Sequence, residues 1–107
     1  MRLTGPTNGP VVLCVNGGRA EEVEGTWSAS LEWLVGRLAP RFPAVGFAEV
    51  RYRVKSWHRL DLCIADAAAA LAELAAPRIA FLGFSMGGAV AVANAAGASV
   101  AGVIGLA

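Results

Sequence analysis

Gly83-Phe84-Ser85-Met86-Gly87-Gly88 joins a short apolar run, Ile79–Phe84, to a run rich in glycine and alanine that opens at Met86. A serine flanked at this spacing by glycines suits nucleophilic attack on an acyl group. The chain has to turn there from strand into helix, which strains the serine backbone and lifts its hydroxyl above the sheet. So sharp a turn crowds the positions two before and two after the serine, where a β-carbon would clash, and this accounts for Gly83 and Gly87. Gly88 is expected to let the new helix lie close to the sheet. The Met86 amide, the first after the serine, opens a helix N-terminus and is placed to bind a developing oxyanion. With 13 glycines in 107 residues the spacing alone could arise by chance. The strand-like run before it and the helix-forming run after it give it weight.

The elements that must position this serine are legible from periodicity. Residues 1–10, rich in Gly, Pro, Thr and Asn, read as a loose leader. Val11-Val12-Leu13-Cys14-Val15 reads as a first, fully buried strand, and residues 17–26 as a polar loop. Ser28 can cap a helix in which Leu31, Leu34, Val35 and Leu38 recur at helical spacing, ended by Pro40 and Pro43. Residues 45–52 read as a second strand with Gly46 as its weak point. Leu60, Cys63, Ile64, Ala67, Leu71 and Leu74 form one stripe of a further helix that Pro77 stops. Ile79–Phe84 is then the strand before the serine, 86–96 the helix after it, and Val100–Leu106 a fourth strand. Alternating strands and helices predict an α/β fold: a mostly parallel sheet of about four strands with flanking helices, in a single domain over 1–107.

Bulk properties narrow the partners. A formal net charge of +1 and a pI near 7.8 leave no field that would recruit nucleic acid or an anionic membrane. Hydrophobic residues at 56% against 16% charged suit a sheet covered on both faces. Cys14 and Cys63 read as buried thiols, and residues 1–6 lack an apolar signal core, so the expected location is cytoplasmic. Residues 79–107 carry no charge and are long enough to span a bilayer. Their Ala/Gly character and the break at Gly97-Ala98-Ser99 fit strand, helix, turn and strand better than one spanning helix. One histidine and two isolated cysteines offer no metal site, and no cofactor is implied.

The hexapeptide around Ser85 resembles the nucleophile elbow of the α/β-hydrolase superfamily, in the form common among small bacterial esterases and dienelactone-hydrolase-like proteins. A second patch agrees: strand 11–15 is followed by Asn16-Gly17-Gly18, where the family often has His-Gly-x or His-Gly-Gly. The resemblance implies that this loop supplies the second oxyanion amide, from Gly18, with Asn16 replacing the commoner histidine. It also implies that the four strands lie side by side as second, first, third and fourth. Ser85 and Gly18 then meet at the topological switch point, where open α/β sheets bind ligands.

The expected function is a serine hydrolase acting on a small-molecule ester or related acyl bond through an acyl-enzyme on Ser85. In the superfamily an acid and then a histidine follow the serine. No Asp, Glu or His follows Ser85 here, so the expectation is the N-terminal half of a larger hydrolase, inactive or nearly so alone. His58 precedes the serine, and a solvated residue at a helix start explains it better than a dyad. Asp61 and Asp66 read as the polar face of that helix. Arg51, Arg53, Lys55 and Arg59 form a basic cluster, either a solvated strand end or an attractor for an anionic substrate. Trp27, Trp33 and Trp57 are packing or pocket-wall residues. A non-catalytic α/β binding module and an acyltransferase are the alternatives. An uncovered fourth strand is expected to promote self-association through the sheet edge.

Overall fold

In the computed structural model, which describes residues 1–96 and 100–106, the apolar run Val11–Val15 forms a strand, β2, buried on both sides. Strand alternation sends Val11, Leu13 and Val15 to one face and Val12 and Cys14 to the other. The first set joins a core with Ile79, Phe81, Cys63, Ala67, Met86 and Val90. The second packs against Leu31, Val35, Phe47 and Leu82. Burial on both faces requires helices on both sides, and the chain supplies them. Helix α1 (Ala29–Leu38) covers the second face; α2 (Leu60–Glu73) and α3 (Met86–Ala95) cover the first.

The sheet contains β1 (Arg2–Thr4), β2, β3 (Gly46–Glu49), β4 (Ile79–Phe84) and β5 (Val100–Leu106), in the order β1-β3-β2-β4-β5. Pairings among β3, β2, β4 and β5 are parallel, and their order is the one expected of the four sequence strands. The fold is therefore α/β. Two expectations need correction. Residues 1–10 are not a loose leader, because Arg2–Thr4 pairs antiparallel with β3 and makes the sheet mixed and five-stranded. Arg2 explains this: its guanidinium donates to the Glu49 carboxylate at 3.0 and 3.3 Å and lies 4.2 Å over the Trp27 ring. Glu49, only 4% exposed, has its charge matched by that contact. The strand expected over 45–52 closes at Glu49. Val50 still donates to the Cys14 carbonyl at 3.0 Å, while Tyr52 turns into the core and bonds elsewhere.

Helix α1 starts where its cap predicts, with Ser28 Oγ accepting from the Leu31 amide at 3.2 Å. Helix α2 keeps the expected stripe, and Asn94 of α3 donates to the Ile64 carbonyl at 3.2 Å, tying the two helices. The charge-free segment resolves into β4, α3 and β5, and no described helix is long and apolar enough to cross a membrane. The turn expected at Gly97-Ala98-Ser99 lies outside the described residues.

Candidate active site

Ser85 sits between the end of β4 and the first residue of α3, with φ 56° and ψ −119°; among the described residues no other non-glycine has positive φ. Such a backbone costs roughly 1–3 kcal/mol and persists only where the surroundings impose it. The Ser85 amide is held by the Leu106 carbonyl of β5 at 2.7 Å, and its carbonyl accepts from the Gly88 amide at 2.9 Å. The side chain is exposed and, although it stands at the N-cap, makes no capping hydrogen bond. A serine there ordinarily turns its hydroxyl onto the helix. Here the inverted φ directs it away and leaves it free for other chemistry.

Two glycines are needed for the turn. A β-carbon on Gly83 would run into the Gly87 carbonyl, with the Gly88 nitrogen 2.6 Å away. One on Gly87 would strike the Val15 carbonyl and stand 2.8 Å from that of Asn16. The second clash is with the end of β2 rather than across the turn, so Gly87 also sets how closely α3 approaches that strand. Gly88 does not behave as expected: a β-carbon there would meet nothing within 4 Å. Close helix packing at this point comes from Gly87 and the buried Met86 and Val90.

The loop after β2 faces Ser85 across the joint between β2 and β4, which run parallel with Val15 opposite Gly83. A β-carbon built on Gly17 would lie 3.3 Å from Ser85 Cβ and 3.7 Å from Oγ. One on Gly18 would collide with the Met86 thioether. Gly17 thus keeps open the space beside the hydroxyl, while Gly18 makes room for the buried Met86 side chain. Asn16 Oδ1 accepts from the Gly17 amide at 2.7 Å, while the Asn16 carbonyl accepts from Tyr52 Oη at 2.8 Å. Burial holds the Tyr52 hydroxyl in its protonated, donating form, with its pKa pushed upward. The Gly17 amide is thus engaged, whereas those of Gly18 and Met86 take no part in the loop, cap or side-chain hydrogen bonds of the described residues. Asn16, Gly17, Gly18, Phe84 and Ser85 line a depression of about 220 Å³, together with Arg19 and Lys55.

The chain matches no protein-family model and no curated protein at significant similarity. The chemistry open to the site follows from its own atoms. It offers a hydroxyl, two amides without a protein acceptor, two cations and a small open volume. It lacks a base. His58 is exposed on the 3₁₀ turn Trp57–Arg59, with its amide donating to Ser56 Oγ at 3.1 Å, and it does not line the depression.

The basic cluster separates in space. Arg53 donates to Asp66 through its amide at 2.8 Å and Nε at 2.6 Å, so Asp66 is a partner as well as a polar-face residue. Arg59 bonds Asp61 and Glu22, and Arg51 lies 5.5 Å over Trp27. Lys55 alone of that cluster reaches Ser85's depression, joined by Arg19, which sequence reasoning passed over. A backbone bridge that only tertiary folding forms, Arg19 to Ser56, brings Arg19 there. Of the tryptophans, Trp33 walls a larger groove with Leu34, Phe84 and Leu106, Trp57 is exposed, and Trp27 sits between Arg2 and Arg51. Cys14 and Cys63 are buried free thiols, and burial, then Glu49, pushes Cys14 up to about 12.

Proposed function

We propose that this chain carries the nucleophile and oxyanion side of an α/β-hydrolase-type serine hydrolase acting on small-molecule esters or related acyl bonds. The observation that carries the reading is Ser85 held at positive φ with an exposed, uncapped hydroxyl against the 16–18 loop. In this mechanism Ser85 Oγ bonds to the acyl carbon as its proton passes to a base. The carbonyl π electrons move onto oxygen, and the amides of Met86 and Gly18 stabilise that oxyanion. Collapse expels the alcohol, which takes up the proton, and water then releases the acid from the acyl-serine. Losing one oxyanion donor costs roughly 3–4 kcal/mol in the transition state. Among the described residues no His, Asp or Glu lines the depression, so the base and its orienting acid are not supplied by its lining.

That missing base supplies the test. The chain alone should acylate on p-nitrophenyl acetate barely above background, and added imidazole should accelerate formation of the acyl adduct seen by intact mass. Ser85→Ala should abolish the accelerated part. An imidazole-dependent adduct that survives Ser85→Ala overturns the reading. The same absence of a base favours a second reading, a non-catalytic α/β binding module. That reading gains if Ser85 stays inert to imidazole-assisted acylation while the depression still takes up ligand.

A further inference from the structure

We propose that Arg19 and Lys55 form an anion-binding subsite beside Ser85, so that the ligand of this depression bears a carboxylate a few bonds from its acyl carbon. The inference rests on the proposed acyl chemistry of Ser85 for the word acyl, and on the two cations for the charge. Both line the same depression of about 220 Å³ as Ser85, Gly17 and Gly18. Two backbone hydrogen bonds hold them side by side. The Arg19 amide donates to the Lys55 carbonyl at 3.2 Å and the Trp57 amide donates to the Arg19 carbonyl at 3.0 Å, which together make the Arg19–Ser56 bridge.

Among the described residues no carboxylate matches the charges there. Arg2, Arg53 and Arg59 are committed to carboxylates, and Arg37 and Arg51 stack on Trp33 and Trp27. Among the described residues Arg19 and Lys55 join no salt bridge. The Lys55 ammonium donates to neutral Thr26 Oγ1 at 2.7 Å, which orients it and leaves further N–H groups to give. Of the acids on the same loop, Glu22 faces Arg59, Glu24 lines a separate depression with Arg51 and Arg53, and Glu21 is exposed. Among the described residues no carboxylate lines the Ser85 depression. Two cationic residues lining a pocket with no described carboxylate favour an anion, and the guanidinium fork favours a planar one. The volume, about seven waters' worth of liquid, restricts the enclosed part to a short chain.

The test titrates the ¹⁵N-labelled chain with monomethyl succinate, a short ester carrying one carboxylate, against neutral dimethyl succinate. Methyl phosphate serves as the arm for a phosphate ligand. The monoester is expected to shift the Gly17, Gly18 and Ser85 amides and to bind at least about tenfold more tightly than the diester. Lys55→Gln and Arg19→Gln should each remove most of that preference, with dispersed spectra showing that the fold survives. Tighter binding of methyl phosphate would reassign the anion to phosphate and overturn the carboxylate. Equal binding of the two esters, indifference to both variants, or shifts confined to other residues would overturn the subsite. Ser85→Ala should retain carboxylate binding while losing imidazole-assisted acylation. Failure of the hydrolase reading thus registers as an inert Ser85 with the anion preference intact, and failure of the subsite as lost preference with Ser85 still reactive.

Discussion

Ser85 holds its backbone at φ 56° against the preference of any L-residue with a β-carbon, and that strain is measurable. Ser85→Gly removes the penalty at the expense of unfolded-chain entropy worth about 0.4–1 kcal/mol. The expected result is a net gain of about 1 kcal/mol over Ser85→Ala, which keeps the strain; thermal melts that coincide would show the turn to be relaxed. The neighbouring glycines should split. Gly87→Ala forces the β-carbon onto carbonyls of β2 and should destabilise by more than about 2 kcal/mol. Gly88→Ala meets empty space inside a helix and should stabilise by up to about 1 kcal/mol. Denaturant melts of the two variants check both signs. Cys14 adds a pH dependence. Its thiol titrates near 9 when unfolded and at about 12 when folded, so its contribution is complete below pH 9 and lost as pH rises toward 12. Tyr52, also raised by burial, adds loss of the same sign. Stability measured from pH 8 to 11 should fall, and Cys14→Ala should flatten the lower part of that fall.

At the scale of elements, β1 depends on a single side chain reaching across the sheet edge. Arg2 contacts both Glu49 and the Trp27 ring, so Arg2→Met leaves a buried carboxylate without its cation. Because Arg2 is itself partly exposed, the cost should be smaller than that of breaking a fully buried pair. Adding Glu49→Gln should recover part of it in a urea melt; a double variant no better than the single would point to the Trp27 contact instead. β2, β4, β5 and all three helices were legible because their patterns are local: buried runs, a serine cap, a helical stripe. β1 was not. Arg2-Leu3-Thr4 has no period to read, and its pairing depends on Glu49, which is 47 residues away. The early end of β3 is equally non-local, because Tyr52 leaves the ladder to serve the Asn16 carbonyl.

For the molecule as a whole, the two sheet edges are unlike. One is the short antiparallel β1, carrying Arg2. The other is β5, seven residues without a charge or a proline, with Ile104 56% exposed. On the α1 side, Ile104 and Leu106 also border an apolar groove of about 420 Å³ with Leu34, Leu38 and Phe42. An unguarded edge beside an apolar groove is a template for association. The 107-residue chain should therefore associate in a concentration-dependent way by light scattering, and Ile104→Lys should shift it toward monomer. A monodisperse wild-type monomer with a cooperative melt would contradict this.

Local pattern determined the strand and helix runs and the glycine-flanked turn at Ser85, because each depends on residues within a few positions of one another; the loop at 16–18 entered as its partner only through the family resemblance. The tertiary structure decided what depends on distant groups meeting. It set Asn16 against its own loop, gave Gly87 its clash with β2 while leaving Gly88 idle, and drew Lys55 and Arg19 to the serine while carboxylates elsewhere claimed Arg2, Arg53 and Arg59. Side-chain charge can be counted in a sequence. Which charges remain unmatched is settled only when the chain brings their partners within hydrogen-bond reach.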